Sequence, residues 1–309
     1  PGAKTATGCR RALACPTARI IMRHDDIVPA WEALGTRLDV DGANSRIWRE
    51  GKGEPVVCLH GVPASSFVYR KLLPELATRG MEGIAFDFPG MGLADRPAHF
   101  DYTWSGLARW TLKALDAAGL DSVHLVVHDI GGPIGFDVIR QIPERIRSLT
   151  VLNSLVKVAR FRRPWVMQLF VYPVVGALWT ASTRTPLIIP FMRRMGVHDG
   201  PRNQELRAYG DLLTRQDGGA AFRKIMRGFE RTPEFEERIV AALRGRTFPA
   251  QVIWGAQDPA LDMARFAPEL CDALGLEAWH QVRGKHFLQE DAPAEIARLI
   301  ARYRDDASP

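Results

Sequence analysis

An abrupt change from apolar to polar residues in the segment LVVHDIGG (125–132) places one carboxylate, Asp129, where it could act as a nucleophile. The apolar run predicts a buried strand, and the small residues after it predict a tight turn into a helix. Such a turn pushes the residue at its apex into a cleft, and the helix N-terminus would keep a carboxylate ionised. Because Asp is also a favoured helix N-cap, this segment alone leaves both roles of Asp129 open.

Two further segments favour the nucleophile role. The loop HGVP (60–63) follows a predicted strand and offers the backbone N–H of Val62 to the same cleft. Together with the N–H of Ile130, it would form an oxyanion hole for a tetrahedral intermediate. His286, in GKHF (284–287), follows the last predicted strand and precedes the last helix. A general base is expected there in a fold whose nucleophile comes first and whose histidine comes last.

A supporting acid is predicted in the segment WGAQDP (254–259), which puts Asp258 just past the end of a strand. Its carboxylate could accept the Nδ1 proton of His286, which would fix the tautomer and stabilise the imidazolium. Asp262, one helical turn further on, is the alternative acid. A simple turn role before Pro259 is the competing interpretation of Asp258.

The elements that must position these residues follow a regular pattern. Two short strand patterns at 36–40 and 45–50 flank the turn Asp41-Gly42 and predict an antiparallel hairpin. After the hairpin, short apolar runs alternate with helical patterns, which predicts an α/β fold with a mostly parallel, doubly wound sheet. The predicted central strands are 55–59, 83–86, 123–127, 149–152, 251–254 and 277–282.

The alternation of strands and helices stops for about ninety residues, and a helical block inside a parallel sheet predicts a cap over the carboxyl edge of the strands. We therefore predict a basic leader at 1–24, expected to be disordered, a core at 25–154 and 247–309, and an inserted helical cap at 155–246. The most apolar stretch of the cap, 166–180, is too short to span a bilayer and is predicted to be buried or to line a pocket.

Composition narrows the class of protein. With 309 residues, 46% of them hydrophobic and 25% charged, the chain has an ordinary globular composition, which excludes disordered and collagen-like classes. Five of its six excess positive charges lie in the leader, at Lys4, Arg10, Arg11, Arg19 and Arg23. A basic tail on a nearly neutral body is weak evidence for a polyanion, so we expect no nucleic-acid partner.

The four cysteines, Cys9, Cys15, Cys58 and Cys271, lack the spacing of metal ligands. We expect them to be reduced, as in a cytoplasmic protein. The leader has no apolar stretch followed by a small-residue cleavage site, so no secretory signal is predicted. No metal or organic cofactor is implied, and the sequence gives no oligomeric state.

The chain resembles the haloalkane dehalogenase and epoxide hydrolase branch of the α/β-hydrolases over residues 31–304. The matching segments are HGVPASSFVYR (60–70), DFPGMGLADRP (87–97), VVHDIGG (126–132), WGAQDPAL (254–261) and HFLQEDAP (286–293). The last of these is most similar to the dehalogenases. Some members of the branch take their acid from just after the sixth strand. The matching position here is Asn153, so the resemblance also favours Asp258.

The chain departs from this family at the groups that receive the leaving group. Dehalogenases hold the halide with a tryptophan after the nucleophile and usually an asparagine in the HGxP loop, whereas this chain has Ile130 and Val62, which offer no side-chain N–H. Trp165, early in the predicted cap, could supply one donor, with packing as its competing role. Epoxide hydrolases use cap tyrosines to bind the ring oxygen, so Tyr172 and Tyr209 are candidates too.

The predicted function is a hydrolase in which Asp129 attacks an sp³ carbon of a small apolar substrate and His286 then activates water to hydrolyse the alkyl-enzyme ester. Overall resemblance favours a dehalogenase, and the missing halide donors make an epoxide hydrolase an almost equal alternative. Two further alternatives are an acyl-cleaving hydrolase that uses Asp129 only as a base and a ligand-binding receptor on the same scaffold. The intact set of Asp129, His286 and Asp258 argues against the receptor.

Overall fold

A single sheet forms the centre of the computed structural model, which describes residues 24–198 and 200–307. Its eight strands are β1 (Thr36–Leu38), β2 (Ser45–Glu50), β3 (Glu54–Leu59), β4 (Met81–Phe86), β5 (Val123–Asp129), β6 (Ile146–Ser154), β7 (Ala250–Gly255) and β8 (His280–Val282). Their order across the sheet is β1-β2-β4-β3-β5-β6-β7-β8. Each strand predicted from the sequence therefore occurs, with ends that differ by a few residues.

The sheet is mixed, with its antiparallel part at one edge. Strands β1 and β2 pair antiparallel, with Thr36 opposite Ile47, and β2 is antiparallel to β4. The remaining neighbours, from β4 to β8 across the sheet, are parallel. The predicted hairpin and the predicted mostly parallel sheet are both confirmed. Because parallel strands end at the same edge, the residues after β3, β5, β6 and β7 are brought side by side.

Helices surround this sheet. They are α1 (His24–Leu34), α2 (Leu72–Ala77), α3 (Trp104–Ala117), α4 (Gly131–Gln141), α5 (Trp165–Gln168), α6 (Pro173–Ser182), α7 (Ile188–Met195), α8 (Asn203–Thr214), α9 (Ala220–Arg227), α10 (Pro233–Arg244), α11 (Met263–Leu274), α12 (Leu288–Asp291) and α13 (Pro293–Ala307). Short 3₁₀ helices occur at Ser66–Tyr69, Pro143–Arg145 and Leu169–Val171. Helix α3 shows why these segments are helical: apolar side chains recur every three or four residues, and the Thr103 hydroxyl caps its start.

Two apolar clusters cover the two faces of the sheet. One contains residues of α3, α4, α10 and α11, and the other contains residues of α1, α2, α8 and α13. Strand β3 contributes to both, since Val57 and Leu59 lie in the first cluster and Val56 and Cys58 in the second. Burial on both faces explains the unbroken apolar sequences of β3 and β5. The predicted doubly wound architecture is confirmed.

The segment between β6 and β7 is helical, and it contains no strand among its described residues. Its last helix, α10, packs on α4 and α11, which are core helices. The sequence placed the end of the cap at residue 246. Because α10 packs beside the sheet, we propose instead that the cap ends before Pro233.

The apolar stretch at the start of the cap forms two short helical pieces. The first covers Trp165–Val171, the second covers Pro173–Ser182, and they meet at an angle of 119°. In the part of the chain that the structure describes, no single helix is long and apolar enough to cross a membrane. The two pieces reach that length and composition only when they are taken together.

The predicted leader, residues 1–24, lies outside the described residues except for His24, which begins α1. Cys9 and Cys15 lie outside them as well. The thiols of Cys58 and Cys271 are free and buried. Burial in the apolar interior raises the pKa of both thiols, so that each behaves as a small packing residue.

Candidate active site

The turn between β5 and α4 holds Asp129 in a conformation that few non-glycine residues adopt. Asp129 is the last residue of β5, and its φ is +52°. Two glycines make this turn possible: a Cβ on Gly131 would lie 2.5 Å from the carbonyl oxygen of Leu59, and one on Gly132 would lie 1.8 Å from Oγ of Ser154. The Ser154 hydroxyl donates to the Asp129 carbonyl over 2.7 Å. The strand–turn–helix predicted from the sequence is therefore present.

Each carboxylate oxygen of Asp129 has its own partner. The backbone N–H of Val62 donates to Oδ1 over 2.8 Å, and Oδ2 lies 3.5 Å from Nε2 of His286. Gly61 allows this approach, because a Cβ there would lie 2.3 Å from Oδ1. The Asp129 side chain is almost fully buried. The carboxylate is thus held by two neighbours and is largely shielded from solvent.

His286 lies between two carboxylates. Its Nδ1 is 2.9 Å from Oδ2 of Asp258, and Ala260 and Leu261 donate their N–H groups to Oδ1 of the same aspartate. Asp258 follows β7 and His286 follows β8, so the parallel sheet brings both loops to the edge that carries Asp129. The alternative acid, Asp262, is exposed and caps α11 through the N–H of Ala264. Among the two predicted candidates, Asp258 is the one beside His286.

Asn153 lies near the end of β6, at the position where an acid could have followed the sixth strand. It links the end of β7 and the loops that carry Asp258 and His286. Its Nδ2 donates to Oδ2 of Asp258 over 2.9 Å and to the carbonyl of Lys285 over 3.0 Å. Its Oδ1 accepts the N–H of Gly255 over 2.8 Å. Its φ of +33° is also rare for a residue with a side chain. An amide here holds the Asp258 carboxylate by a hydrogen bond and adds no second negative charge.

The charges at the site perturb one another. Burial lowers the pKa of His286, but the charges of Asp258 and Asp129 and the hydrogen bonds to them outweigh burial and raise it to about 10. Burial likewise raises the pKa of Asp129, but the contact with His286 and the N–H of Val62 outweigh it and lower that pKa. The resting site is therefore an ionised carboxylate beside an imidazolium.

Two other histidines support the site and stay neutral. Nε2 of His128 donates to the carbonyl of His286 over 2.8 Å, and burial together with the nearby imidazolium lowers the pKa of His128 to about 3. His60 accepts the N–H of Phe88 at Nε2 and donates from Nδ1 to Gly61, which fixes the loop that carries Val62. Neither residue was predicted to have a role, although His60 lies within the motif HGVP and His128 within LVVHDIGG.

Asp129 and His286 face an apolar cavity with an empty volume of about 590 Å³. Its described lining residues are apolar except for Asp129, His286 and Arg163. The apolar ones include Phe161, Met167, Phe191, Met192, Met195 and Phe229. Among the described residues no group of His, Cys, Asp or Glu is arranged to hold a metal ion.

Arg163 is the cation that the cap contributes to this cavity, and it was not predicted from the sequence. One of its Nη groups donates to the carbonyl of Met226, and its guanidinium lies 4.4 Å from the ring centre of Phe229. Its Nε is buried and has no hydrogen-bond partner among the described residues. Burial lowers the pKa of Arg163 to about 10, so it is still charged at neutral pH. A buried N–H donor thus remains free beside an apolar cavity.

The three residues proposed from the cap to bind substrate lie elsewhere. Trp165 and Tyr172 are exposed on the outer side of the cap. Tyr209 is buried, but it donates its hydroxyl to Glu290 and stacks on Phe287. None of the three is among the described lining residues of the cavity. This geometry gives their predicted contact with substrate no support, and at the start of the cap it is Val166 that lines the cavity, whereas its neighbour Trp165 is exposed.

Comparison with known proteins agrees with this geometry. Residues 54–293 match the family model of the alpha/beta hydrolase fold. A haloalkane dehalogenase of Mycolicibacterium paratuberculosis is 29% identical over 86% of this chain and 91% of its own. Haloalkane dehalogenase 1 of Mycobacterium bovis is 30% identical over 81% of this chain and 83% of its own.

Solved structures agree on the fold. An alpha/beta hydrolase fold protein from Burkholderia ambifaria superimposes with a TM-score of 0.75 at 24% identity, covering 86% of this chain and 97% of its own. The haloalkane dehalogenase DbeA from Bradyrhizobium elkani gives 0.73 at 23% identity, covering 88% and 98%. The chain belongs to the α/β-hydrolases, in the branch of the haloalkane dehalogenases. It is a hydrolase, and the resemblance stated from the sequence is confirmed.

Proposed function

We propose that this hydrolase cleaves a carbon–halogen bond in a small apolar substrate, with Asp129 as the nucleophile and a covalent alkyl-enzyme ester as the intermediate. The contact of Asp129, His286 and Asp258 at one end of an apolar cavity is the observation that carries the proposal. The names of the relatives, haloalkane dehalogenases, support the choice of substrate class. Water is the second substrate.

In the first step an oxygen of Asp129 attacks the carbon that carries the halogen, and the halide leaves with the bonding electron pair. The N–H of Val62 holds Oδ1, so Oδ2 is the oxygen that attacks. The lowered pKa of Asp129 keeps this oxygen ionised. An apolar cavity wall favours the step, because an unsolvated carboxylate is a stronger nucleophile than a hydrated one.

In the second step His286 becomes a base because Asp129 has lost its charge. The ester is neutral, so one of the two carboxylates that raise the pKa of His286 is gone. The pKa of His286 therefore falls, and the imidazolium gives its Nε2 proton to solvent. Nε2 then takes a proton from water, the hydroxide attacks Cγ of Asp129, and Asp258 stabilises the imidazolium that forms again. The N–H groups of Val62 and Ile130 receive the charge that develops on Oδ1. The intermediate then collapses to the Asp129 carboxylate, and the leaving alkoxide takes the Nε2 proton of His286 and departs as the alcohol.

The leaving halide needs a donor, and Arg163 is the group that we assign to it. The side chains of Val62 and Ile130 carry no N–H, and Trp165 lies outside the cavity. Arg163 lines the cavity with an Nε–H that has no described partner. A charged donor beside an apolar wall stabilises a developing anion well, because little solvent screens it. The same donor could serve an epoxide oxygen, which keeps an epoxide hydrolase as the second candidate.

A single-turnover reaction in H₂¹⁸O tests the covalent step. If Asp129 is the nucleophile, water attacks the enzyme ester, and ¹⁸O is found in the Asp129 carboxylate by peptide mass spectrometry. Label found only in the alcohol after one turnover would overturn the proposal.

The electrophile is tested in parallel with a brominated alkane, a terminal epoxide and a short ester, read as bromide, diol and acid. Bromide as the main product supports dehalogenation. Diol as the main product would replace it with epoxide opening.

A further inference from the structure

Large exposed apolar side chains are confined to one part of the cap. In the described chain they are Trp165, Tyr172, Val174, Val175, Leu178 and Leu187, which we call the apolar patch. Four of them are more than three-fifths exposed: Trp165 at 74%, Val174 at 72%, Leu178 at 68% and Leu187 at 66%. Scattered exposed apolar residues are normal, but a group within 23 consecutive residues marks an interaction surface.

Helix α6 has its apolar face on the outside. Gly176 and Thr180 are buried, and the Thr180 hydroxyl donates to the Gly176 carbonyl over 2.6 Å. Val174 and Leu178, four residues apart, lie on the exposed side. A helix in contact with water normally shows the opposite arrangement. The outer face of α6 is therefore built for an apolar environment.

The wider segment that contains the apolar patch is strongly basic. Residues 155–198 contain seven Lys and Arg residues and no Asp or Glu. Arg162, Arg184 and Arg194 are exposed, and none of them forms an ion pair with a carboxylate in the described part of the chain. Free cations around exposed Trp, Tyr and aliphatic side chains are the composition of helices that lie on anionic membranes.

We propose that the apolar patch binds the surface of an anionic lipid bilayer, with its aromatic and aliphatic side chains among the headgroups and with Arg162, Arg184 and Arg194 against lipid phosphates. The bend of 119° between the two helical pieces fits an element that lies in the interface and does not cross it. Each cation near such a surface adds to the attraction, which weakens as salt screens it.

Charge argues against two other occupants. A second copy of the chain in a two-fold dimer would place the same basic segment opposite itself. The leader, residues 1–24, is also basic and contains no acidic residue, so it would be repelled. An anionic membrane surface is the occupant that matches both the apolar residues and the cations.

The position of the patch has a consequence for access to the cavity. Helix α5 turns Trp165 outwards and contributes Val166 and Met167 to the cavity wall. A cap that lies on lipid would hold the cavity beside apolar molecules dissolved in the bilayer. This inference does not depend on the chemistry of Asp129, and it would stand if the bond that is cleaved were a different one.

Flotation of the full-length protein with large vesicles tests the proposal. The vesicles contain phosphatidylcholine alone or phosphatidylcholine mixed with phosphatidylglycerol, at low and at high salt. We expect binding to the mixed vesicles, weaker binding to the neutral ones, and release by salt. The variant Val174→Ser/Leu178→Ser should bind about tenfold more weakly. Replacing Arg162, Arg184 and Arg194 with Gln should remove most of the preference for phosphatidylglycerol, at about fivefold per cation.

Two charge variants serve as controls. Replacing the exposed Arg283, Arg298 and Arg302 with Gln should leave vesicle binding unchanged. Replacing the five cations of the leader with Gln should do so as well. Melting temperature and hydrolysis of a water-soluble substrate show that each variant is folded. The proposal would be overturned if the protein bound neither kind of vesicle. It would also be overturned if the leader variant were the only one to lose binding. A concentration-dependent dimer that Val174→Ser/Leu178→Ser dissociates would assign the patch to a second copy.

Discussion

The sheet edge and the cap contribute to the same cavity in different ways. At the sheet edge each charged group has fixed partners: Asp258 accepts two backbone N–H groups, the Asn153 amide and the His286 ring. The cap contributes apolar side chains and one cation, Arg163, whose Nε has no described partner. The groups at the sheet edge are therefore held in place before substrate binds. In the cap, by contrast, the Nε of Arg163 gains a partner only when a molecule enters the cavity.

This difference follows from how the two regions are built. Short turns after parallel strands leave little freedom, so Asp129, Asp258 and His286 are set by the backbone. Cap helices pack on apolar contacts that tolerate small shifts, which suits the binding of varied apolar molecules. We infer that bond-making resides in the edge and selectivity in the cap. Substitutions in the two regions should then have different kinetic signatures.

The largest effect is expected at the sheet edge. Asp129→Asn removes the charged nucleophile and should lower kcat by about 10⁴-fold or more. His286→Ala should leave the first step intact and stop the second, so that an alkyl-enzyme ester accumulates and is seen in the intact mass. His280→Ala, at an exposed histidine, is the matched control and should turn over normally. If His286→Ala neither consumes substrate nor forms an adduct, His286 acts before bond formation and the acyl-cleaving mechanism is favoured.

A smaller effect is expected at Asn153, which positions the acid and does not touch substrate. Asn153→Ala removes the donor to Asp258 and should lower kcat by about tenfold to a hundredfold with little change in KM, as for other residues that orient a reacting group. Asn153→Asp should partly rescue Asp258→Asn, because the new carboxylate would stand beside the Asp258 position. Steady-state kinetics of the two single variants and the double variant decide this. A double variant no better than Asp258→Asn would limit Asn153 to a structural role.

The same difference between the sheet edge and the cap explains which of the two regions could be predicted from the sequence. Strand ends and turns are local, so the segments around Asp129, Asp258 and His286 predicted that the three side chains would meet, and the structure brings them together. Their catalytic roles remain proposals. The hairpin and the mostly parallel, doubly wound sheet could likewise be predicted, because strand–helix alternation admits few topologies.

The cap was harder to predict from the sequence, because packing between distant segments decides which side of a helix faces the cavity. Trp165 and Val166 are neighbours in sequence, but only Val166 lines the cavity. Arg163 follows Arg160 and Arg162, and nothing local distinguishes it from them. One signal was available: Arg163 lies three residues before the most apolar stretch of the chain, where burial of a cation is costly unless a partner compensates its charge.

An effect of the same size as at Asn153 is expected at Arg163, the cap residue that we assign to the leaving group. Arg163→Gln should lower halide release by about tenfold to a hundredfold, since one donor aimed at developing charge has roughly that effect. The rate of chloride release should fall more than that of bromide, and that of bromide more than that of iodide, because poorer leaving groups depend more on the donor. Arg162→Gln, at the exposed neighbour, is the matched control. Equal losses for the three halides would mean that Arg163 shapes the cavity and does not receive the halide.

The smallest effect on turnover is expected for the cap residues that the structure places outside the cavity. Trp165→Phe and Tyr172→Phe should leave kcat and KM within about twofold, because both side chains face outwards. If Tyr172→Phe sharply lowered the formation of diol from an epoxide, Tyr172 would contact the substrate, which would contradict its position outside the cavity.

Tyr209→Phe should lower stability and leave turnover unchanged. Burial raises the pKa of Glu290, but Arg70, Lys71 and the Tyr209 hydroxyl outweigh burial and hold it below its ordinary value of 4.5. Loss of the hydroxyl should cost about 1.5–3 kcal/mol, the usual contribution of a hydrogen bond to a charged group. Because a lowered carboxylate pKa stabilises the fold above the unfolded pKa, this cost should be complete at pH 7 and shrink as pH falls below about 4. Denaturant unfolding at pH 7 and at a pH below about 4 measures this loss of stability. A loss of kcat without a loss of stability would mean that Tyr209 acts in the active site.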